Sequence, residues 1–287
     1  MKKFTFKGLM APVFTAYHDD RDLTINYDII HPYAKHLKSN GVHAVLINGT
    51  TGEGMLLNVE ERKRTAEIWK QACKENEIVM MVQVGGAPYP DVVELTKHAE
   101  NLDVDGILCL PELYFKPKSP EALTNYLGSI ASHCPTTPFF YYHIPMFTDV
   151  NIHMPTFLDM AEKTIPNLHG IKYTSGDLDQ GTNCLKTERT IFLGADTILC
   201  GAVATGFDSF IMTTLNICPE ISQNIIDLLK CGRVEESRDK QRDLNSTICD
   251  ILEHGDWVSA MKKAFNEHCH LSLGKTRPPL NLKSDAD

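Results

Sequence analysis

A chain of 287 residues, 43% hydrophobic and 23% charged, has the length and composition of one large soluble α/β domain, and disorder is expected only at its ends, as in the tail "LKSDAD". A formal net charge of -9 without a long basic run argues against an extended nucleic-acid or anionic-membrane surface, while a local pocket for a small anion stays open. No stretch approaches the roughly 18 uninterrupted apolar residues of a membrane span, and the opening "MKKFTFKGLM" lacks the apolar run of a signal peptide, so a cytoplasmic location is expected. Nine cysteines without a C-x-x-C pair then read as reduced thiols, and the sequons at Asn48 and Asn245 as incidental.

Eight short, nearly continuous apolar runs follow one another: "GLMAPVFTAY", "HAVLINGT", "IVMMVQVGG", "DGILCLPE", "PFFYYHIP", "LHGIKYTS", "TIFLGAD" and "DSFIMTTLN". Such runs suit parallel strands buried on both faces. Between them lie helical patterns with apolar residues three and four apart, at 27–40, 58–75, 90–101 and 119–132. Eight alternations without a linker predict a closed (β/α)8 barrel, the TIM barrel, within residues 1–218. Residues 219–287 hold three further helical patterns, read as a closing helix, a C-terminal helical extension and the tail of the same structural domain.

In such a barrel the chemistry sits at the C-terminal ends of the strands. That rule selects "NGTTGE" after strand two, "YYHIP" at strand five, "KYTSGD" at strand six and "GADT" after strand seven. Alternation on strand six puts Gly170, Lys172 and Thr174 on one face and Ile171 and Tyr173 on the other. The small and hydroxylic set suits the lumen, which makes Lys172 an interior lysine. Loss of hydration favours the free amine of such a group, the form that attacks a carbonyl to give a Schiff base. The competing reading is a lysine paired with a buried carboxylate or reaching solvent along its methylene stem.

On strand five, Phe140, Tyr142 and Ile144 share a face, which makes Tyr142 a neighbour of Lys172 and a candidate proton relay; otherwise it is a core-filling aromatic. In "GTTGE", Thr50 and Thr51 with the surrounding backbone N–H groups can converge on an anion, or simply cap a strand-to-helix turn, and Glu53 can anchor that turn. "EHCH", Glu267 to His270, reads as a helix end and not a metal site, because adjacent helical positions diverge. The dinucleotide and P-loop glycine patterns are absent, so no nucleotide cofactor is indicated.

Together, G-T-T-G-E at Gly49 to Glu53, Y-x-x-P at Tyr142 to Pro145 and G-I-K at Gly170 to Lys172 resemble the pyruvate-dependent class I aldolase and lyase family that includes N-acetylneuraminate lyase and dihydrodipicolinate synthase. The resemblance implies that Lys172 forms an imine with a 2-keto carbon, Tyr142 moves the proton, and Thr50 and Thr51 hold the keto-acid carboxylate. It also implies pyruvate as product or donor, no metal or dissociable cofactor, and a homotetramer. Within the family, "YYHIPMFT" is most similar to the animal-type lyases. The arginine that dihydrodipicolinate synthases carry two residues after the proline is replaced here by Phe147.

By the same resemblance Thr174, Gly194, Asp196, Thr197 and Thr213 line the sugar part of the site, with Thr197 standing where the lyases have a second acid. Tyr114, after strand four, corresponds to a rim or intersubunit aromatic. The activity implied is reversible retro-aldol cleavage of N-acetylneuraminate to pyruvate and N-acetylmannosamine. Thr197 and the altered strand-eight loop motivate an alternative, a related aldolase acting on another 2-keto-3-deoxy sugar acid. A non-catalytic sugar-acid-binding relative is the third reading, because barrels host many functions.

Overall fold

The computed structural model describes residues 2–282; the rest of the expected loose tail lies outside the described residues. Eight strands form a closed parallel barrel in sequence order: β1 Gly8–Pro12, β2 Ala44–Ile47, β3 Val79–Gln83, β4 Gly106–Cys109, β5 Phe139–His143, β6 Leu168–Tyr173, β7 Thr190–Leu193 and β8 Ser209–Ile211. Each is shorter than the apolar run that marked it, because the run continues into the loop above the strand. Helices α1 Ile30–Ser39, α2 Val59–Asn76, α3 Tyr89–Asn101 and α4 Pro120–Ala131 occupy the predicted helical segments. Beyond them come α5 Pro145–Thr148, α6 Met154–Ala161, α7 Leu178–Asn183 and α8 Leu199–Ala204. The predicted C-terminal helices are α9 Pro219–Lys230, α10 Val234–Leu252 and α11 Trp257–His268.

Local chemistry explains several boundaries. Helix α2 starts at a capping box, in which Asn58 accepts from the Glu61 backbone N–H at 2.9 Å and Glu61 accepts from that of Asn58 at 3.0 Å. Helix α4 starts where Ser119 accepts from the Ala122 N–H, followed by proline at its first position.

Alternation along the strands divides the core into two layers. Met10, Leu46, Met81, Leu108, Phe140, Tyr142, Phe192 and Ile211 fill the lumen. The residues between them along the chain, such as Val45, Ile107, Tyr141 and Tyr173, pack outward under the helices. The last helix crosses back over the start of the chain, placing Phe265 against Phe14 and Tyr33.

One irregularity sets the phase that matters most. Phe139 is opposite Leu168, but Phe140 is opposite Gly170, so His169 is an extra residue on β6. The register then runs Tyr141 to Ile171 and Tyr142 to Lys172. Gly170 sits at φ 153°, and a Cβ there would lie 1.9 Å from the Thr190 carbonyl oxygen. Only glycine lets β6 and β7 approach at this point. Gly170→Ala is therefore expected to lower stability by about 3 kcal/mol or more, since the clash is with backbone. A thermal melt within about 2 °C of the parent would refute that account.

Candidate active site

A cavity of about 420 Å³ opens at the C-terminal end of the barrel. Every expected site residue except Tyr114 lines it: Lys172, Tyr142, Thr50, Thr51, Thr174, Gly194, Asp196, Thr197 and Thr213. Tyr114 stands 84% exposed in the loop after β4, edge-to-face with the exposed Phe115 at 5.0 Å, and does not reach the cavity.

Lys172 projects inward from β6 and is 5% exposed. Its Nζ lies 4.3 Å from the centroid of the Tyr142 ring, the neighbour set by strand register. Among the described residues no carboxylate forms an ion pair with it, so the alternative of a charge-paired structural lysine does not hold. The Tyr142 hydroxyl is 3.1 Å from Thr50 Oγ1, which ties the phenol to the "GTTGE" turn. Thr51 Oγ1 is 3.1 Å from Thr213 Oγ1, and Thr213 accepts from Trp257 Nε1 at 3.2 Å. Hydroxyls from β5 itself and from the loops after β2 and β8 thus line one cavity with the amine.

The turn itself is held from both sides. Gly54 N–H donates to the Gly49 carbonyl at 3.0 Å, and Glu53 N–H to the Thr50 carbonyl at 3.0 Å. A Cβ on Gly54 would fall 1.9 Å from the Asn48 carbonyl oxygen, so the closure needs glycine. Asn48 is itself buried, its Nδ2 donating to the Arg62 carbonyl, which removes it as a glycosylation acceptor in the folded chain.

On the other side of the amine, Gly194 leaves room where a Cβ would meet Thr174 Oγ1 at 2.2 Å and Lys172 Cε at 3.1 Å. Among the described residues the buried Thr174 hydroxyl has no hydrogen-bond partner, an unmet demand on the same side as the amine. Asp196 is buried, and its Oδ1 accepts from both the N–H and the hydroxyl of Thr214, at 2.9 and 2.7 Å. Burial raises its carboxyl above the ordinary range, opposed by those two bonds and by the Lys172 charge. Asp196 therefore anchors the loop after β8 as well as facing the cavity. Thr197 is exposed, and its carbonyl accepts from Asn245.

Sequence reasoning missed Trp257 and Ile198, which complete the wall with Ile144, Met146 and Phe147. Trp257 comes from α11, far along the chain, and no local pattern announces its direction. Among the described residues no group of three or more His, Cys, Asp or Glu is placed to hold a metal; Glu267 pairs with Lys263, and His268 Nδ1 meets the Ala264 carbonyl at the helix end.

A buried amine beside a phenol, with hydroxyls and backbone N–H groups on one flank and a single carboxylate on the other, defines a carbonyl-condensing site at the mouth of a (β/α)8 barrel. The Dihydrodipicolinate synthetase family model matches residues 5–286, and the chain belongs to that family. Over 285 residues it is 32% identical to the N-acetylneuraminate lyase of Danio rerio, covering 98% of this chain and 92% of that protein. It is 29% identical to the human N-acetylneuraminate lyase, covering 98% and 89%. Among solved structures, the native N-acetylneuraminate lyase (sialic acid aldolase) of Aliivibrio salmonicida superposes with a TM-score of 0.92 at 35% identity, covering 100% of this chain and 94% of that one.

His143 shows how the outward face of β5 is used. Its ring stacks on Tyr173 at 5.4 Å and 16°, outside the lumen, and burial pushes its imidazole down to about 4. The unfolded chain takes this proton first, near pH 6.5, so the stability it contributes is full above 6.5 and falls as the pH drops toward 4. The loss is expected to approach about 3 kcal/mol. Denaturant melts from pH 7.5 to 4.5 should show a shallower acid slope in His143→Phe than in the parent; equal slopes would contradict the assignment.

Proposed function

We propose that this chain is an N-acetylneuraminate lyase, cleaving the sugar acid reversibly to pyruvate and N-acetylmannosamine through an imine on Lys172. The observation that carries the reading is the unpaired Lys172 amine over the Tyr142 ring inside the lumen. The amine attacks the 2-keto carbon of the open-chain acid and water leaves, giving a protonated imine. Tyr142, left as a phenolate after giving its proton to the hydroxyl that departs as water, accepts the C4 hydroxyl proton, the C3–C4 bond breaks, and its electron pair moves into the iminium to form an enamine. N-Acetylmannosamine departs as the aldehyde. Protonation at C3 and hydrolysis of the imine release pyruvate and regenerate the amine.

Thr50, Thr51 and the turn's N–H groups hold the carboxylate, and the unmet Thr174 hydroxyl faces the sugar chain beyond the reacting carbon. Gly194, Asp196, Thr197 and Thr213 complete that side. The reaction as written needs no metal or dissociable cofactor, since the protonated imine is the electron sink. The cytoplasm, where thiols stay reduced, suits the nine free cysteines. A homotetramer would give the exposed Tyr114 and Phe115 a partner surface.

Phe147 favours this substrate over a partner that brings a second carboxylate, because among the described residues the cavity lining carries no cation besides Lys172. A second reading, cleavage of another 2-keto-3-deoxy sugar acid, rests on the far wall: Asp196 is engaged by Thr214, Thr197 is neutral, and Ile198 and Trp257 are apolar. Turnover of N-acetylneuraminate and a shorter keto-deoxy acid in parallel separates the two; negligible cleavage of the first beside good cleavage of the second would reject the primary reading.

Borohydride reduction with pyruvate is expected to add one reduced pyruvyl group, mapped to Lys172 by peptide mass, and Lys172→Met to abolish it. No adduct on the parent would sink the imine reading. Tyr142→Phe should retain the adduct but lower kcat by about 10²-fold or more, as loss of an acid–base group does; an unchanged kcat would remove Tyr142 from the proton path.

A further inference from the structure

The cavity is not the only place where the "GTTGE" turn meets an ionic group. Glu53 sits in the left-handed region at φ 54°, and its side chain points away from the cavity toward the C-terminal helix. There Lys262 Nζ, from α11, donates to Glu53 Oε1 at 3.0 Å, and the two side chains are 1% and 0% exposed. The Arg277 backbone N–H donates to Glu53 Oε2 at 2.8 Å, and Lys262 Nζ also donates to the Lys275 carbonyl at 2.7 Å. Both Lys262 and Arg277 lie over the Tyr17 ring, at 4.3 and 4.8 Å, and Arg277 forks onto Glu61.

Burial opposes charge on both partners, raising the Glu53 carboxyl and pushing Lys262 down to about 8. A buried pair of this kind adds little stability over apolar residues of similar size, so its position carries more information than its energy. Helix α11 reaches the turn twice: Lys262 fixes Glu53, and Trp257 reaches Thr51 through Thr213. Glu53 is linked in turn to Thr50 by its own N–H.

We propose that Lys262 is a positioning residue for the 2-keto-acid carboxylate, acting through Glu53 to hold the Thr50–Thr51 turn in its anion-accepting shape. The inference rests on the keto-acid reading of the cavity. Among the described residues Lys262 makes no hydrogen bond to β5 or β6, and its only link to Tyr142 runs through the Thr50 hydroxyl, so loss of the pair falls chiefly on carboxylate affinity and only weakly on the steps at Lys172 and Tyr142. Glu53 and Lys262 act as one unit, so losing either has the effect of losing both.

The test is the pyruvate dependence of borohydride trapping at Lys172, with steady-state cleavage kinetics, for the parent, Lys262→Met, Glu53→Gln and the double variant, each checked by thermal melt. Each single variant is expected to raise the half-saturating pyruvate concentration and the KM about tenfold, with kcat within about threefold. The double variant should match the singles instead of multiplying their effects. Should Lys262→Met fail to fold, the near-isosteric Glu53→Gln decides alone by the same split. Unchanged half-saturation, a fall in kcat with KM unmoved, or multiplying effects in the double variant would overturn the proposal while leaving the imine reading intact. Absence of trapping on the parent would overturn both.

Discussion

The structure depends on the register between β5 and β6. One extra residue at His169 and a glycine at 170 bring Lys172 level with Tyr142 on the lumen side, and the closed barrel prevents either strand from slipping. A shift by one residue would send Lys172 into the apolar layer beneath the helices and bring Tyr173 inward. Everything above the strands, from the threonine turn to the Asp196 loop, is arranged around an amine whose place is fixed by backbone hydrogen bonds and not by a salt bridge.

Two buried lysines show the same side chain used in opposite ways. Lys262 is locked by Glu53, the Lys275 carbonyl and the Tyr17 ring, and its ammonium is fully engaged. Lys172 has a ring face for company and an open cavity in front of it. The nearest acid able to neutralise it, Asp196, directs one oxygen into the loop after β8 through two hydrogen bonds to Thr214. A lysine with its charge satisfied is a poor nucleophile, because the pairing that stabilises the ammonium must be broken to expose the lone pair. Asp196 thus serves the loop after β8, while Lys172 keeps an open cavity in front of it.

The barrel, its eight strands and the inward face of β5 and β6 were legible in the sequence because period-two alternation and short apolar runs are local signals. The placement of Thr50, Thr51, Thr174 and Gly194 followed, since strand ends in a closed barrel converge whatever the helices do, whereas Thr213 is singled out only by the family resemblance. What local pattern could not supply was the direction of α11. Trp257 lies 60 residues past Thr197 in number and beside it in the cavity wall, and its amphipathic pattern says only that some face is buried. The Glu53–Lys262 pair joins residues 209 apart and leaves no periodic trace. The direction of Tyr114 is not legible for a related reason, since an exposed loop aromatic has no strand to fix where it points.

The far wall follows a different logic from the reacting end. At the amine, polar groups converge from four strands and each has a geometric reason for its position. Toward the mouth, Ile144, Met146, Phe147, Ile198 and Trp257 dominate, and two of the polar groups there are already committed, Trp257 Nε1 to Thr213 and the Thr197 carbonyl to Asn245. An apolar rim strengthens the electrostatics inside, because excluding water lowers the dielectric around the Lys172 amine and the hydroxyls that face it. It also limits how many hydrogen bonds a hydroxylated tail can recover after leaving water. On the proposed function, discrimination is then expected to be strongest at the keto-acid end, where charge and register act together, and weaker along the tail, where most of the wall offers contact area.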